Sequence, residues 1–102
     1  MWTTKDGETL LLRPDRVQRV LADLGKTRLG ERLGRSGTHG LIRLAEALAK
    51  RSRRAGTARN PATGESYIVF QAAAAGDTYR LVTRHVDEGH AIVSIRDRKS
   101  VV

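Results

Sequence analysis

Three runs in the last third of the chain constrain its fold most: SYIVFQAAA (66–74), DTYRLVTRHV (77–86) and HAIVSIRDR (90–98). Each is rich in β-branched or aromatic residues, and only the short spacers AGD and DEG separate them. Such spacing predicts a three-stranded antiparallel meander. Alternation then assigns the faces. On the middle run Arg80, Val82 and Arg84 share one side, while Tyr79, Leu81, Thr83 and His85 share the other. On the last run Ala91, Val93 and Ile95 point one way, and Ser94, Arg96 and Arg98 the other. One face is expected to pack on helices. The other is partly polar and bears arginines.

Upstream the periodicity changes. ETLLLRP (8–14) is a short apolar run ending at a proline and predicts a first strand. Pro14 suits a first helical turn, and Asp15 complements the helix dipole. Val17, Val20, Leu21 and Leu24 follow helical spacing, with Arg16, Arg19 and Asp23 on the outer face, and Gly25 stops the helix. Between Gly25 and Gly40 five glycines punctuate the chain, and Leu29 and Leu33 are spaced for one short helix. The GKT at 25–27 is no phosphate loop, because Val20 stands where its first glycine is needed and a helix precedes it. A second principal helix begins near Leu41, with Leu44, Ala45, Leu48 and Ala49 completing an apolar face and Ile42 at its edge.

The expected fold is α+β, one domain over 1–102. A short N-terminal strand and two principal helices, joined by a glycine-rich linker able to hold a short third helix, pack on a C-terminal three-stranded antiparallel meander. At 102 residues one modest core suffices, built mostly of Leu, Val, Ile and Ala, since Trp2, Tyr67, Phe70 and Tyr79 are the only aromatics. The absence of cysteine excludes disulfides and thiolate zinc sites. No apolar run approaches the roughly 18 residues of a membrane span, and no signal peptide opens the chain, so a cytoplasmic protein is expected.

The net charge of +8 is unevenly spread. The helical half, 13–59, carries thirteen Lys or Arg against four carboxylates, whereas the β half, 60–102, is balanced. A one-sided field of this kind draws polyanions, and the alternative is a basic surface kept for solubility. On a helical wheel Arg43, Lys50 and Arg54 form one stripe opposite the apolar face, flanked by Arg51 and Arg53 and about 16 Å long. Glu46 is the one acid there, and Arg59 prolongs the track. These six residues predict a small nucleic-acid-binding protein that contacts the phosphate backbone through the 41–59 helix and loop. Base selection is left to Thr38, His39 or the 58–65 loop, because phosphate contacts carry no sequence information directly.

Three resemblances accompany that expectation. TRLGERLGRSGTHGLIRL (27–44) resembles a helix-turn-helix, with its apolar residues one position late at Leu41 and Leu44. RNPATGE (59–65) is similar to the arm tip of HU-type bacterial architectural proteins, where a proline wedges between base pairs and arginines line the minor groove. It is also an ordinary turn sequence. Finally, the element order, together with YRLVTRHVDEGHAIVSIRDRK (79–99), resembles RelE/ParE-type toxins.

That last resemblance implies a small metal-independent endoribonuclease, or a gyrase-directed toxin, held by an antitoxin. Arg80, Arg84 and Arg96 would face RNA or a phosphorane-like transition state, with His85 as acid or base. The GTHG…NPATGE segment has no counterpart in that family, whose usual closing tyrosine is also absent here. A third alternative is an interaction module whose basic face meets an acidic, immunity-type protein, as in a phage or assembly component. No cofactor is implied. His85, Asp87, Glu88 and His90 cluster in sequence, but as solvated turn residues rather than a metal site. A free edge on the 90–98 strand would offer pairing to a second copy, giving a homodimer.

Overall fold

A short hairpin opens the chain in the computed structural model, which describes residues 1–33 and 37–97. Strands β1 (Trp2–Thr3) and β2 (Thr9–Leu11) pair antiparallel. Helices α1 (Val17–Gly25), α2 (Arg28–Leu33) and α3 (Gly37–Arg51) follow. Strands β3 (Arg53–Arg59), β4 (Ser66–Ala74), β5 (Asp77–Val86) and β6 (Gly89–Asp97) complete the sheet, whose order is β1-β2-β6-β5-β4-β3. The helices carry the chain from β2 to the far edge. The meander then walks back until β6 lies parallel to β2.

The α+β fold is therefore the expected one, with a meander of β4, β5 and β6. Its turns explain its tightness. Ala74 pairs with Asp77, leaving Ala75 and Gly76 as a two-residue loop with φ of 52° and 81°. That is the geometry whose twist suits a hairpin. The sheet presents Phe70, Ala72, Tyr79, Leu81, Ile92 and Ile95 to the apolar faces of α1 and α3, and these residues form the main core. Val20, Leu24, Leu48, Ala45 and Ala49 answer from the helices, all nearly or fully buried.

Three features depart from the sequence reading, and a fourth agrees with it. First, the second principal helix ends at Arg51 rather than running on to Arg54. Ser52 is fully buried, and its hydroxyl donates to the Ala49 carbonyl at 2.7 Å. A serine that satisfies a terminal carbonyl in this way offers the backbone an exit from the helix. The chain turns there and runs out as β3, a fourth strand added to the meander, so that 60–65 is a hairpin tip.

Second, β6 is bulged. Ile92 opposes Thr83 while Ser94 opposes Val82, leaving Val93 as the extra residue. The shift lets Ile92 and Ile95 both enter the core, whereas Ala91 falls on the side of its partner Arg84 instead of sharing the Ile95 face. Third, β6 is not a free edge along its whole length: β5 flanks one side, and β2 covers His90 and Ala91 on the other. Helix α1 packs against β6, and Ser94 Oγ donates to Asp23 on α1 at 3.4 Å. The edge expected for a homodimer contact is therefore taken up in part, at His90 and Ala91.

Fourth, the glycine-rich linker does hold a helix, and the reason is steric. A Cβ at Gly30 would sit 2.0 Å from the Leu24 carbonyl oxygen, so only glycine lets α2 start this close to the end of α1. Thr27 caps α2 by accepting the Gly30 N–H at 3.0 Å. The connection between α2 and α3, where the helix-turn-helix resemblance has its turn, lies outside the described residues, as does Arg98. Among the described residues no helix is long and apolar enough to cross a membrane.

Candidate nucleic-acid interface

All seven residues of β3 are exposed, because this strand pairs with β4 on one side and forms the sheet edge on the other. Arg53 lies opposite Gln71, and Arg54 lies opposite Phe70. Neighbouring residues of a strand point to opposite faces, so the two arginines part. A bulge at Ala55 follows, and the ladder ends with Arg59 opposite Ser66. Arginines and a bulge along an edge also discourage strand addition from another chain.

Arg54 is clamped by the N-terminal loop. Its guanidinium lies 6.0 Å from the Phe70 ring centre, and its Nε donates to Glu8 Oε2 at 2.9 Å while Nη2 bonds the other oxygen. Its backbone N–H donates to Asp6 Oδ2 at 2.9 Å, and Asp6 also accepts the Thr4 hydroxyl. The Arg54 backbone N–H is the main reason the Asp6 carboxyl titrates below its ordinary range, with the Thr4 hydroxyl second. The Arg54 side chain does the same for Glu8, against an opposing burial effect and with help from His90. Glu8 in turn raises the Arg54 guanidinium.

His90 completes the cluster, with Nε2 3.1 Å from Glu8 Oε1 and 3.4 Å from Arg54 Nη2. Its buried ring stands edge-on to Phe70 and to His85, and its Nδ1 has no hydrogen-bond partner among the described residues.

Beside this clamp opens a cavity of about 520 Å³. Lys5, Arg51, Arg53 and Arg54 line it, together with Ala55, Gln71 and Ala73. The Lys5 N–H donates to the Ser52 carbonyl at 3.1 Å, which brings the loop's one cation to the end of α3. No carboxylate lines the cavity. Glu8 compensates Arg54, but among the described residues no ion pair engages Lys5, Arg51 or Arg53. Such a group of unspent cations around a concave surface suits an oxyanion such as phosphate.

The stripe expected along the helix is split. Arg43 is exposed on α3, and Lys50 forms an i, i+4 pair with Glu46 at 3.0 Å. Arg54 has left for β3, so it shares no helical face with them. Arg51, Arg53 and Arg54 gather instead at the cavity, and Arg59 stands at the far end of β3 beside the tip. In that tip Asn60 Oδ1 accepts the Ala62 N–H at 3.0 Å, and the Asn60 carbonyl accepts the Gly64 N–H at 2.7 Å.

The four residues of the alternative reading do not converge. Arg80 and Arg96 are register partners, Arg96 Nε donates to Ser94 Oγ at 3.0 Å, and Arg84 approaches Glu65 at 3.7 Å. His85 pairs with His90 on the opposite face, although it and Arg84 both border a cavity of about 190 Å³ with Arg13 and Arg16. Lys5, Asp6, Glu8, Gln71 and His90 went unnoticed as members of the main site. Glu8 and His90 are 82 positions apart, and no local pattern signals such a contact.

No protein-family model, curated protein or solved structure matches this chain.

Proposed function

We propose that this protein binds nucleic acid through phosphate contacts centred on the junction of α3 and β3. One observation carries the proposal: Lys5, Arg51 and Arg53 line a cavity that holds no carboxylate and have no ion-pair partners among the described residues. Arg54 orders the rim rather than supplying free charge, since Glu8 already holds it. Arg59 and the exposed Arg43 extend the positive field to either side. Cations arranged in this way exchange condensed counterions for phosphates, and binding built on that exchange falls steeply with salt.

A gel-shift series at two ionic strengths tests this. The expected result is binding at low salt that weakens about 0.7 to 0.9 decades per decade of salt for each phosphate engaged. Binding that is absent, or indifferent to salt, contradicts it.

Cleavage of a bound strand is a second reading, favoured by the 190 Å³ cavity that Arg13, Arg16, Arg84 and His85 border together with Asp15, where Arg13 and Arg84 also approach Glu88 and Glu65 at 3.7 Å. Imidazole is the side chain best suited to proton transfer near neutrality. Longer incubation of the same samples with RNA tests it. Products that disappear with His85→Ala support cleavage, and intact RNA refutes it.

A further inference from the structure

The sheet is covered by helices on one face only, and the register identifies what the other face carries. Arg53, Gln71, Arg80 and Arg96 are successive partners across β3, β4, β5 and β6, so they form one row on the face opposite Phe70, Leu81 and Ile95. Gln71 joins this row to the basic cavity, whose wall it forms. The next row starts at Gly56 and continues through Val69 and Val82. After it comes Ala58 with Tyr67.

Because β3 offers only Gly56 and Ala58 on this side beyond Arg53, its backbone there lies open. A shallow cavity of about 120 Å³ follows it, bordered by Val69, Gln71 and Arg80. The rows named here contain no carboxylate, and an acid beside them is Asp23 of α1, which borders a cavity of about 260 Å³ with Lys26, Thr27 and Arg96 at the β6 end of the row. Glu65, at the tip, accepts the Tyr67 hydroxyl at 2.8 Å and so holds the ring at the end of the trough.

From this juxtaposition we infer that the ligand is single-stranded nucleic acid lying across the helix-free face, with phosphates on the Arg53–Arg80–Arg96 row and a base against Tyr67. The inference rests on the nucleic-acid reading above and narrows it. Width decides against a duplex. Four strands about 4.8 Å apart span about 14 Å between β3 and β6. The major groove is about 12 Å wide and admits a helix or a two-stranded ribbon. A single strand has no such limit, and its unstacked bases can lie on aromatic rings or guanidinium planes. Its chemistry is shared by RNA and single-stranded DNA, which differ here only in the 2′-hydroxyl.

The test uses the full chain and fluorescein-labelled 20-nucleotide probes: single-stranded RNA, single-stranded DNA of the same sequence, and the corresponding DNA duplex. Anisotropy titrations should place both single strands at least tenfold tighter than the duplex. A gap between the two single strands would identify the preferred sugar. Arg80→Gln with Arg96→Gln should lower the single-strand salt slope by about 1.4. Tyr67→Leu should weaken single strands about tenfold, with Tyr67→Phe close to wild type. Circular dichroism melts certify that each variant is folded.

Duplex binding as tight as single-strand binding overturns the inference. So does an unchanged slope in the Arg80/Arg96 variant. If that slope is unchanged while Lys5, Arg51 and Arg53 variants lose binding, the nucleic-acid reading stands and the sheet-face inference fails. If no probe binds at low salt, both fail.

Discussion

Residues 37–51 and 53–59 are consecutive basic segments, yet they are held in place by opposite means. α3 is anchored by apolar burial: Leu44, Ala45, Leu48 and Ala49 sit in the core, and its cations ride on the outside. β3 buries nothing. Its position depends on backbone pairing with β4 and on Asp6 and Glu8, which take the Arg54 N–H and guanidinium. The charges differ accordingly. On the helix Lys50 is answered by Glu46 one turn away, whereas at the start of the strand Arg53 faces outward with no such partner among the described residues. Proximity in sequence thus says little about whether a cation is available. What matters is which element carries it and which carboxylates that element brings near.

The largest effect that could break this comparison is on stability. Leu48→Ala should cost about 2–5 kcal/mol, since it removes a buried side chain and leaves a cavity. Thr57→Ala on β3 should fall within about 0.5 kcal/mol of wild type. Chemical denaturation measures both, and equal costs would mean that β3 is packed as firmly as α3. Next in size, Thr27→Ala should lose about 1 kcal/mol, because the Gly30 N–H then lacks its cap.

A smaller effect concerns pH. Glu8 has a folded pKa below its ordinary 4.5, so its contribution is fully present above that value. It is lost as pH falls through the folded pKa, when protonation weakens the hold on Arg54. Asp6 acts in the same direction. Glu8→Gln should therefore flatten the fall in stability below about pH 4.5. Amide exchange should quicken in 53–59 and not in 41–51. Uniform quickening would show that the carboxylate clamp serves the whole domain.

Much of the fold was legible because its signals are local. Runs 66–74 and 77–86 matched β4 and β5 to the residue, with two-residue turns after Ala74 and after Val86 and faces set by alternation. The apolar periodicity of α1 and of α3 up to Ala49 was equally plain. RSRRAGTAR (51–59), by contrast, has no apolar alternation, because neither face of β3 is buried. Its arginines read as a continuing helix. The one local cue to the exit is Ser52, and a serine alone does not settle where a helix ends.

The candidate site was legible only in part for the same reason. Its cations were found by composition, but their grouping depends on where β3 begins. The contacts of Glu8 with Arg54 and His90 span 46 and 82 positions. The bulge that sends Ile92 and Ile95 to one side of β6 is likewise invisible to simple alternation.

The most direct test of the central claim compares the two segments by salt slope on one single-stranded probe. Replacing Lys5, Arg51 and Arg53 with Gln together should lower the slope by about 2, whereas replacing Arg43 and Lys50 should lower it by less than about 0.7. The opposite ranking, with the helix variant losing more than the strand-edge variant, would contradict the claim that the available charge lies where α3 gives way to β3.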